Sequence, residues 1–140
     1  MRALIDTCVV IDALQSREPF RVDAENVFFA AANMHFTGCI TAKSVADIYY
    51  LTHKFSHSDA ETRKVLQTLF SLFEILDTTG IDCRKAIQSG IKDYEDAIMV
   101  ESAVRAELDC IVTRNVRDYV GSPIPVYTPS EFVEQLFPEE

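Results

Sequence analysis

No two of the four cysteines stand close together; Cys8, Cys39, Cys83 and Cys110 are dispersed along the 140 residues. Zinc sites use closely spaced pairs, so this spacing argues against a structural zinc centre. With no secretion signal, the four read as small reduced hydrophobes. Basic residues are also scarce: 13 Lys and Arg against 22 Asp and Glu give a net charge of −9. Such a balance argues against holding nucleic acid by a general electrostatic field. It still admits a local basic rim, or a metal that supplies positive charge where phosphate approaches. Apolar runs fall far short of the ~20 residues of a membrane span. No basic stretch followed by an apolar core opens the chain, and a cytoplasmic protein without a membrane segment is expected. Repeats, low-complexity tracts and linkers are missing too.

What is present is an ordinary globular composition, 48% apolar and 25% charged. A chain of this length fits one domain over residues 1–140, burying roughly 68–70% of its unfolded surface. Strand and helix signals alternate. A strand at Ala3–Ile5 precedes a helix that Thr7 can cap, running to about Leu14. Residues 21–34 carry a helical pattern with Val22, Phe28, Phe29 and Ala32 as inward candidates. A strand over His35–Thr41 leads into a helix over Ala42–Phe55 with Val45, Ile48, Tyr49 and Thr52 at helical intervals. Ser58 and Glu61 have capping-box spacing for the next helix, which carries Val65, Leu66, Leu69 and Phe70. A strand at Phe73–Leu76, a helix at Ile81–Gln88, and a longer helix from Asp93 with Ala97, Val100, Val104 and Leu108 follow. Strands at Cys110–Val112 and Pro125–Tyr127 precede a last helix, started by Thr128, Pro129 and Glu131 and ending near Phe137. Alternation of this kind favours a three-layer α/β/α sandwich with a mostly parallel central sheet, since parallel neighbours need crossover connections.

The chemistry-bearing residues are carboxylates. Asp6 interrupts an apolar run at the seam between the first strand and the first helix. An unpaired anion there costs several kcal/mol or shifts its pKa until it is neutral, so something must compensate it. In open α/β sheets ligands bind beyond the carboxyl ends of the strands, where connections diverge. Asp6 ends one strand, and Asn115 and Asp118 follow another that ends at Thr113. Asp93 and Asp96 share a face at a helix start, and Asp47 lies in the helix after the second strand. Several anions in one cleft call for a hard divalent cation with oxygen ligands, Mg²⁺ or Mn²⁺.

Three segments, in order over residues 4–119, carry a family likeness. LIDTCVVIDAL resembles the opening of PIN-domain nucleases, TAKSVADIYYLTHK their second acidic segment, and DYEDAIMVESAVRAELDCIVTRNVRDY their later acidic helix with its strand and turn. The resemblance implies a PIN-like fold and a metal-dependent endoribonuclease, often the VapC-type toxin of a toxin–antitoxin pair. It implies Asp6, Asp47 and Asp96 at the family's first three acidic positions, although many relatives carry Glu where Asp47 stands. Asn115 falls where several relatives have Asp, and Asp118 can supply the remaining carboxylate. Asp6, Asp96, Asp118 and Asp47 are thus the implied metal ligands and catalytic residues. Asp93, Thr113 and Asn115 are accessory, Thr113 as a hydroxyl that orients a water and Asn115 as a neutral ligand. Lys43, Lys92, Arg114 and Arg117 are placed in sequence to contact flanking phosphates, which position a strand without reading it. Hydrolysis would leave a 5′-phosphate and a 3′-hydroxyl. RNA, an antitoxin and a second copy of the chain are the expected partners.

Plainer readings apply to several of these residues. Asp93 and Asp47 suit helix capping, where Asp is common. His53 and His57 have i, i+4 spacing, but HKFSH lacks the Glu of a metalloprotease helix, and the pair reads as exposed residues near a helix end. His35 reads as structural. Arg114 and Arg117 can pair with surface acids, and Phe28, Phe29, Tyr49 and Tyr50 suit a core or a dimer interface. A catalytically weak PIN-like RNA- or metal-binding module is the alternative function, motivated by Asp47 and Asn115. A receiver-type phosphoacceptor fits less well: it needs an acidic pair near the N-terminus and a Lys after a late strand, where this chain has Arg114.

Overall fold

The structure, a computed structural model, describes residues 1–138. Five strands form one sheet: β1 (Arg2–Ile5), β2 (Thr37–Thr41), β3 (Glu74–Leu76), β4 (Cys110–Val112) and β5 (Val126–Tyr127). Their spatial order is β3-β2-β1-β4-β5, and every neighbouring pair is parallel. The helices are α1 (Thr7–Leu14), α2 (Arg21–Ala32), α3 (Ala42–Ser56), α4 (Asp59–Leu72), α5 (Gly80–Ala86), α6 (Tyr94–Arg105) and α7 (Pro129–Leu136), with a 3₁₀ turn over Val116–Tyr119.

Period-2 alternation divides the strands between two cores. Ala3, Ile5, Ile40, Cys110 and Val112 pack with Val9, Val27, Ile48, Leu69 and Phe132 from α1, α2, α3, α4 and α7. Leu4, Cys39 and Ile111 face the other way, onto Ala86 of α5, Ala97 and Val100 of α6, and Tyr119. Connections out of β1 and β2 therefore cover one face, and the α5–α6 crossover covers the other before β4 pairs with β1. The chain changes faces between β1 and β4, which makes their carboxyl ends the topological switch point. Gly38 in β2 lets the layers close: a Cβ there would lie 2.5 Å from the Phe73 ring.

Local start signals are realised with some changes. Thr79 with Asp82 and Thr128 with Glu131 form reciprocal capping boxes on α5 and α7. Ser58 accepts from the Glu61 N–H, but its own N–H goes to Ser56 Oγ, so the expected box is only half formed. Thr7 lies inside α1; Asp6 holds the N-cap position, and the Thr7 hydroxyl donates to Ser44.

The inward face expected for α2 is wrong. Val22 and Phe29 are 51% and 60% exposed and Ala32 is exposed, while Ala24, Val27, Ala30 and Ala31 are buried. Apolar residues surround much of α2, so periodicity gave no firm phase, and the small residues sit where α1 and α7 approach closely. Phe28 is half-buried and meets Phe73 edge-on, ring centroids 5.1 Å apart. Val104 of α6, expected inward, is 38% exposed. Among the described residues no helix is long and apolar enough to cross a membrane.

Candidate functional site

Asp6 joins two elements through its backbone. Its N–H extends the β1–β4 ladder by bonding Val112 O at 3.0 Å, and its carbonyl accepts from Val9 and Val10 to open α1. The side chain makes no capping bond and is 7% exposed. Its Oδ2 accepts from Thr113 Oγ1 at 2.8 Å and from Cys8 Sγ at 3.5 Å. Thr113, fully buried, accepts in turn from the Asn115 N–H at 3.0 Å. The anion at the seam is thus met by neutral donors, and no basic group forms an ion pair with it among the described residues. Burial, and after it the Asp6 charge, pushes the Cys8 thiol up to about 12, so it stays a protonated donor.

Asp96 stands in the first turn of α6. Asp93 is the N-cap, accepting from the Asp96 N–H at 3.0 Å, which is the plain role open to it. Asp96 Oδ1 accepts from Tyr119 Oη at 3.3 Å. Burial, followed by the charges of Asp6, Asp93 and Asp118, raises the Asp96 carboxyl to about 6. Three carboxylates from three chain segments therefore lie within electrostatic reach of Asp96. Tyr119 is 2% exposed, and burial with the Asp6 and Asp96 charges raises its pKa, keeping the phenol a donor. Neither Cys8 nor Tyr119 was singled out from sequence. Each adjoins an acidic position, two residues after Asp6 and directly after Asp118, but an apolar or aromatic neighbour alone carries no signal of contact.

Asp47 is engaged elsewhere. Lys43 Nζ bonds its Oδ2 at 2.6 Å and Glu95 Oε2 at 3.0 Å, tying α3 to the start of α6. Burial of Lys43 works against its charge, but the two carboxylates outweigh this and raise its pKa. Arg114 is likewise held: its Nε donates to buried Asp12 Oδ2 at 2.7 Å, and its Cζ lies 4.3 Å from the Phe20 ring centroid. The expectation that it pairs with surface acids therefore fails, because Asp12 is 1% exposed. Asn115, Arg117, Asp118 and Lys92 are exposed, and Arg117 has no ion-pair partner among the described residues. His53 and His57 end α3, both exposed, with His53 stacked on Tyr49.

Among the described residues no three His, Cys, Asp or Glu side chains are close enough together to hold a metal ion by themselves. The chemistry of the donors nonetheless fits a hard cation. Cys8 is held as a neutral thiol, which leaves carboxylate oxygens, and the mutual repulsion around Asp96 is what a divalent charge relieves. Magnesium commonly uses one or two carboxylates and keeps several waters.

The family profile described as PIN domain matches residues 2–117. No curated protein sequence matches the chain. Several solved structures are similar to it. A toxin–antitoxin complex from Klebsiella pneumoniae is 25% identical with a TM-score of 0.68, over 91% of this chain and 97% of that one. VapBC2 from Rickettsia felis, bound to a DNA fragment from its promoter, is 20% identical with a TM-score of 0.63, over 91% and 97%. VapC20 from Mycobacterium tuberculosis, a sarcin-ricin loop cleaving toxin, is 10% identical with a TM-score of 0.61, over 78% and 86%. The three-layer α/β/α fold with its parallel sheet is the one these structures share.

Proposed function

The chain belongs to the PIN-domain family, and we propose that it is a metal-dependent endoribonuclease, the toxin of a toxin–antitoxin pair. The observation that carries this reading is that Asp6, held by Thr113, and Asp96, held by Tyr119, stand at the same strand ends within electrostatic reach of each other, with no basic side chain paired to either among the described residues. Asp6 and Asp96 are the ligands assigned to Mg²⁺ or Mn²⁺, Asp118 the exposed carboxylate that joins them, and Asp47 an outer participant held by Lys43. When bound, the cation supplies activation of water and charge compensation at the leaving oxygen of the RNA phosphodiester. The chain's own groups position the rest. Thr113 fixes the orientation of Asp6, Tyr119 holds Asp96, Asp93 anchors the first turn of α6, and Asn115 ties the following loop to Thr113. Arg117 and Arg114 contact phosphates flanking the scissile bond, whereas Lys43 serves the carboxylate pair in the free protein.

Likeness to a toxin–antitoxin complex supports an antitoxin partner; the expected antitoxin segment places an Arg or Lys in the acidic cleft, where opposite charge favours it. Exposed Tyr50 and Phe55 on α3, 66% and 68% exposed, support a homodimer. The place of action is the cytoplasm, where RNA is available.

Purified partner-free protein, titrated with Mn²⁺ against a structured RNA, is expected to cleave it. Asp6→Asn and Asp96→Asn should each lower the rate at least about 100-fold, the scale of a lost charge-stabilising group. Wild type that fails to cleave under any divalent metal, or an Asp6→Asn variant that cleaves equally well, defeats the enzymatic reading. The ion pair that occupies Asp47 favours a second reading, a module that binds metal or RNA and turns over weakly; it predicts metal binding with no cleavage.

A further inference from the structure

We propose that the cavity beside Arg114 is a nucleotide subsite, taking one nucleotide of an RNA strand adjacent to the bond held at the acidic centre. The identity of the occupant rests on the ribonuclease reading; the construction of the subsite does not. The cavity, about 300 Å³, is lined among others by Asp12, Phe20, Asp23, Arg114, Thr128 and Ser130. That volume is at the lower limit of small-ligand sites, enough for one nucleotide and too little for a folded element.

Its position follows from the sheet. Arg114 comes just after β4 and Thr128 just after β5, so both leave the same carboxyl edge that carries Asp6 and Thr113. A second hollow shares Arg114 and Thr128 and is lined further by Asn115, Arg117 and Asp118. The surface is therefore continuous from Asp118, beside the acidic centre, to Phe20. A larger cavity of about 450 Å³ lies at the opposite strand ends, around Phe36, Phe70 and Phe73, away from every carboxylate of the site.

The guanidinium of Arg114 is held in place before any ligand arrives. Asp12 grips its Nε from within, the Phe20 ring lies against it, and its two terminal nitrogens have no hydrogen-bond partner among the described residues. A planar fork fixed at one edge and free at the other suits a phosphate. Asp12 is a positioning residue here, acting through Arg114. Its Oδ1 is buried without any partner, and such an acceptor costs about 1–3 kcal/mol unless a donor reaches it. Phe20, 39% exposed, offers an apolar ring to the base, and Asp23 and Ser130 offer acceptors to a ribose hydroxyl.

The test is binding of a 5′-fluorescein-labelled mixed-sequence RNA hexanucleotide to the full chain, with EDTA present so that no metal contributes. Arg114→Lys and Phe20→Leu are each expected to weaken binding about tenfold, the equivalent of 1.4 kcal/mol. Ser130→Asp is the control for folding. It puts a negative charge in the first turn of α7, where the helix favours it, so the melting temperature should hold while binding falls about tenfold. Wild-type affinity in all three variants overturns the proposal and leaves the cavity to a protein occupant. So does a loss seen only in variants whose melting temperature drops, or a wild type that does not bind the probe. The same samples assayed with Mn²⁺ separate the two readings: discriminating binding without cleavage sinks the nuclease and keeps the subsite, and cleavage with uniform binding does the reverse.

Discussion

Thr113 Oγ1 donates to Asp6 Oδ2 across 2.8 Å, joining the carboxyl ends of two adjacent strands that lie 107 positions apart in the chain. The same hydroxyl accepts from the Asn115 N–H, so one buried group serves both the carboxylate and the loop after β4. Thr113→Val preserves the shape and removes both bonds. The loss leaves the Asn115 N–H without a partner and Asp6 Oδ2 with only the long Cys8 Sγ contact, and we expect destabilisation of about 1–3 kcal/mol. Urea unfolding of the two proteins measures it. A Val variant as stable as wild type would mean that water replaces the hydroxyl.

Asp96 gives the metal-free protein a distinctive pH dependence. Its folded pKa of about 6 lies above the ordinary carboxylate value, through burial first and then Asp6, Asp93 and Asp118. The folded state therefore takes up a proton before the unfolded chain does, and stability rises as pH falls from about 7 to about 4. The group is only half-buried, so solvent screening reduces the gain to about 1–2 kcal/mol. Asp96→Asn should be more stable than wild type at pH 7 by that amount, with the difference vanishing near pH 4. Thermal melts of both proteins in EDTA from pH 4 to 7.5 decide it, and a constant difference across the range would rule out titration of Asp96 as its source.

The strand ends were legible because strand and helix signals alternate and the family motifs fall at the joins. Asp6 and Asp96 could be placed at one edge of the sheet from sequence for that reason. The partners of these groups could not. Asp12 looks like one polar residue on an apolar helix, and Arg114 lies 102 positions away; nothing local announces that burial will couple them. Lys43 and Asp47, in contrast, have the i, i+4 spacing of a helical ion pair, a local signal that outweighs a phosphate contact for Lys43. The phase of α2 was lost for a different reason. Small residues pack inward where helices come close, and a hydrophobicity pattern gives the large Phe29 more weight than Ala30 or Ala31.

Asp82 sets the acid limit. It is 1% exposed, and although burial opposes its charge most, bonds from Arg105, the Thr79 N–H and Ser102 overcome that and hold it at about 2. Arg105 reaches it with Nε at 3.0 Å and with Nη2 at 3.2 Å. A depressed folded pKa contributes stability above the unfolded value near 4, and this is lost as pH falls through about 2. Arg105→Ala should cost about 2–4 kcal/mol at pH 7, because it strands a buried carboxylate. It should also move acid unfolding to higher pH, which circular dichroism between pH 2 and 5 will register. An unchanged acid midpoint would place the stabilisation in Ser102 and Thr79 instead.

Divalent metal should relieve the same repulsion that Asp96 protonation relieves, and the two should compete for that carboxylate. At pH 7 the charges of Asp6, Asp93 and Asp118 oppose that of Asp96, and a cation binding only the native state at 100 times its dissociation constant adds about 2.7 kcal/mol of stability. Mn²⁺ should therefore raise the melting temperature at pH 7 and lose much of that effect at pH 5, where protonated Asp96 is a poor ligand. Asp6→Asn combined with Asp96→Asn should abolish the shift, whereas Asp47→Asn should leave most of it, since Lys43 already occupies that carboxylate. A full shift surviving in the double variant would locate the cation away from the switch point, and a shift abolished by Asp47→Asn alone would mean that metal displaces Lys43 and draws α3 into the site.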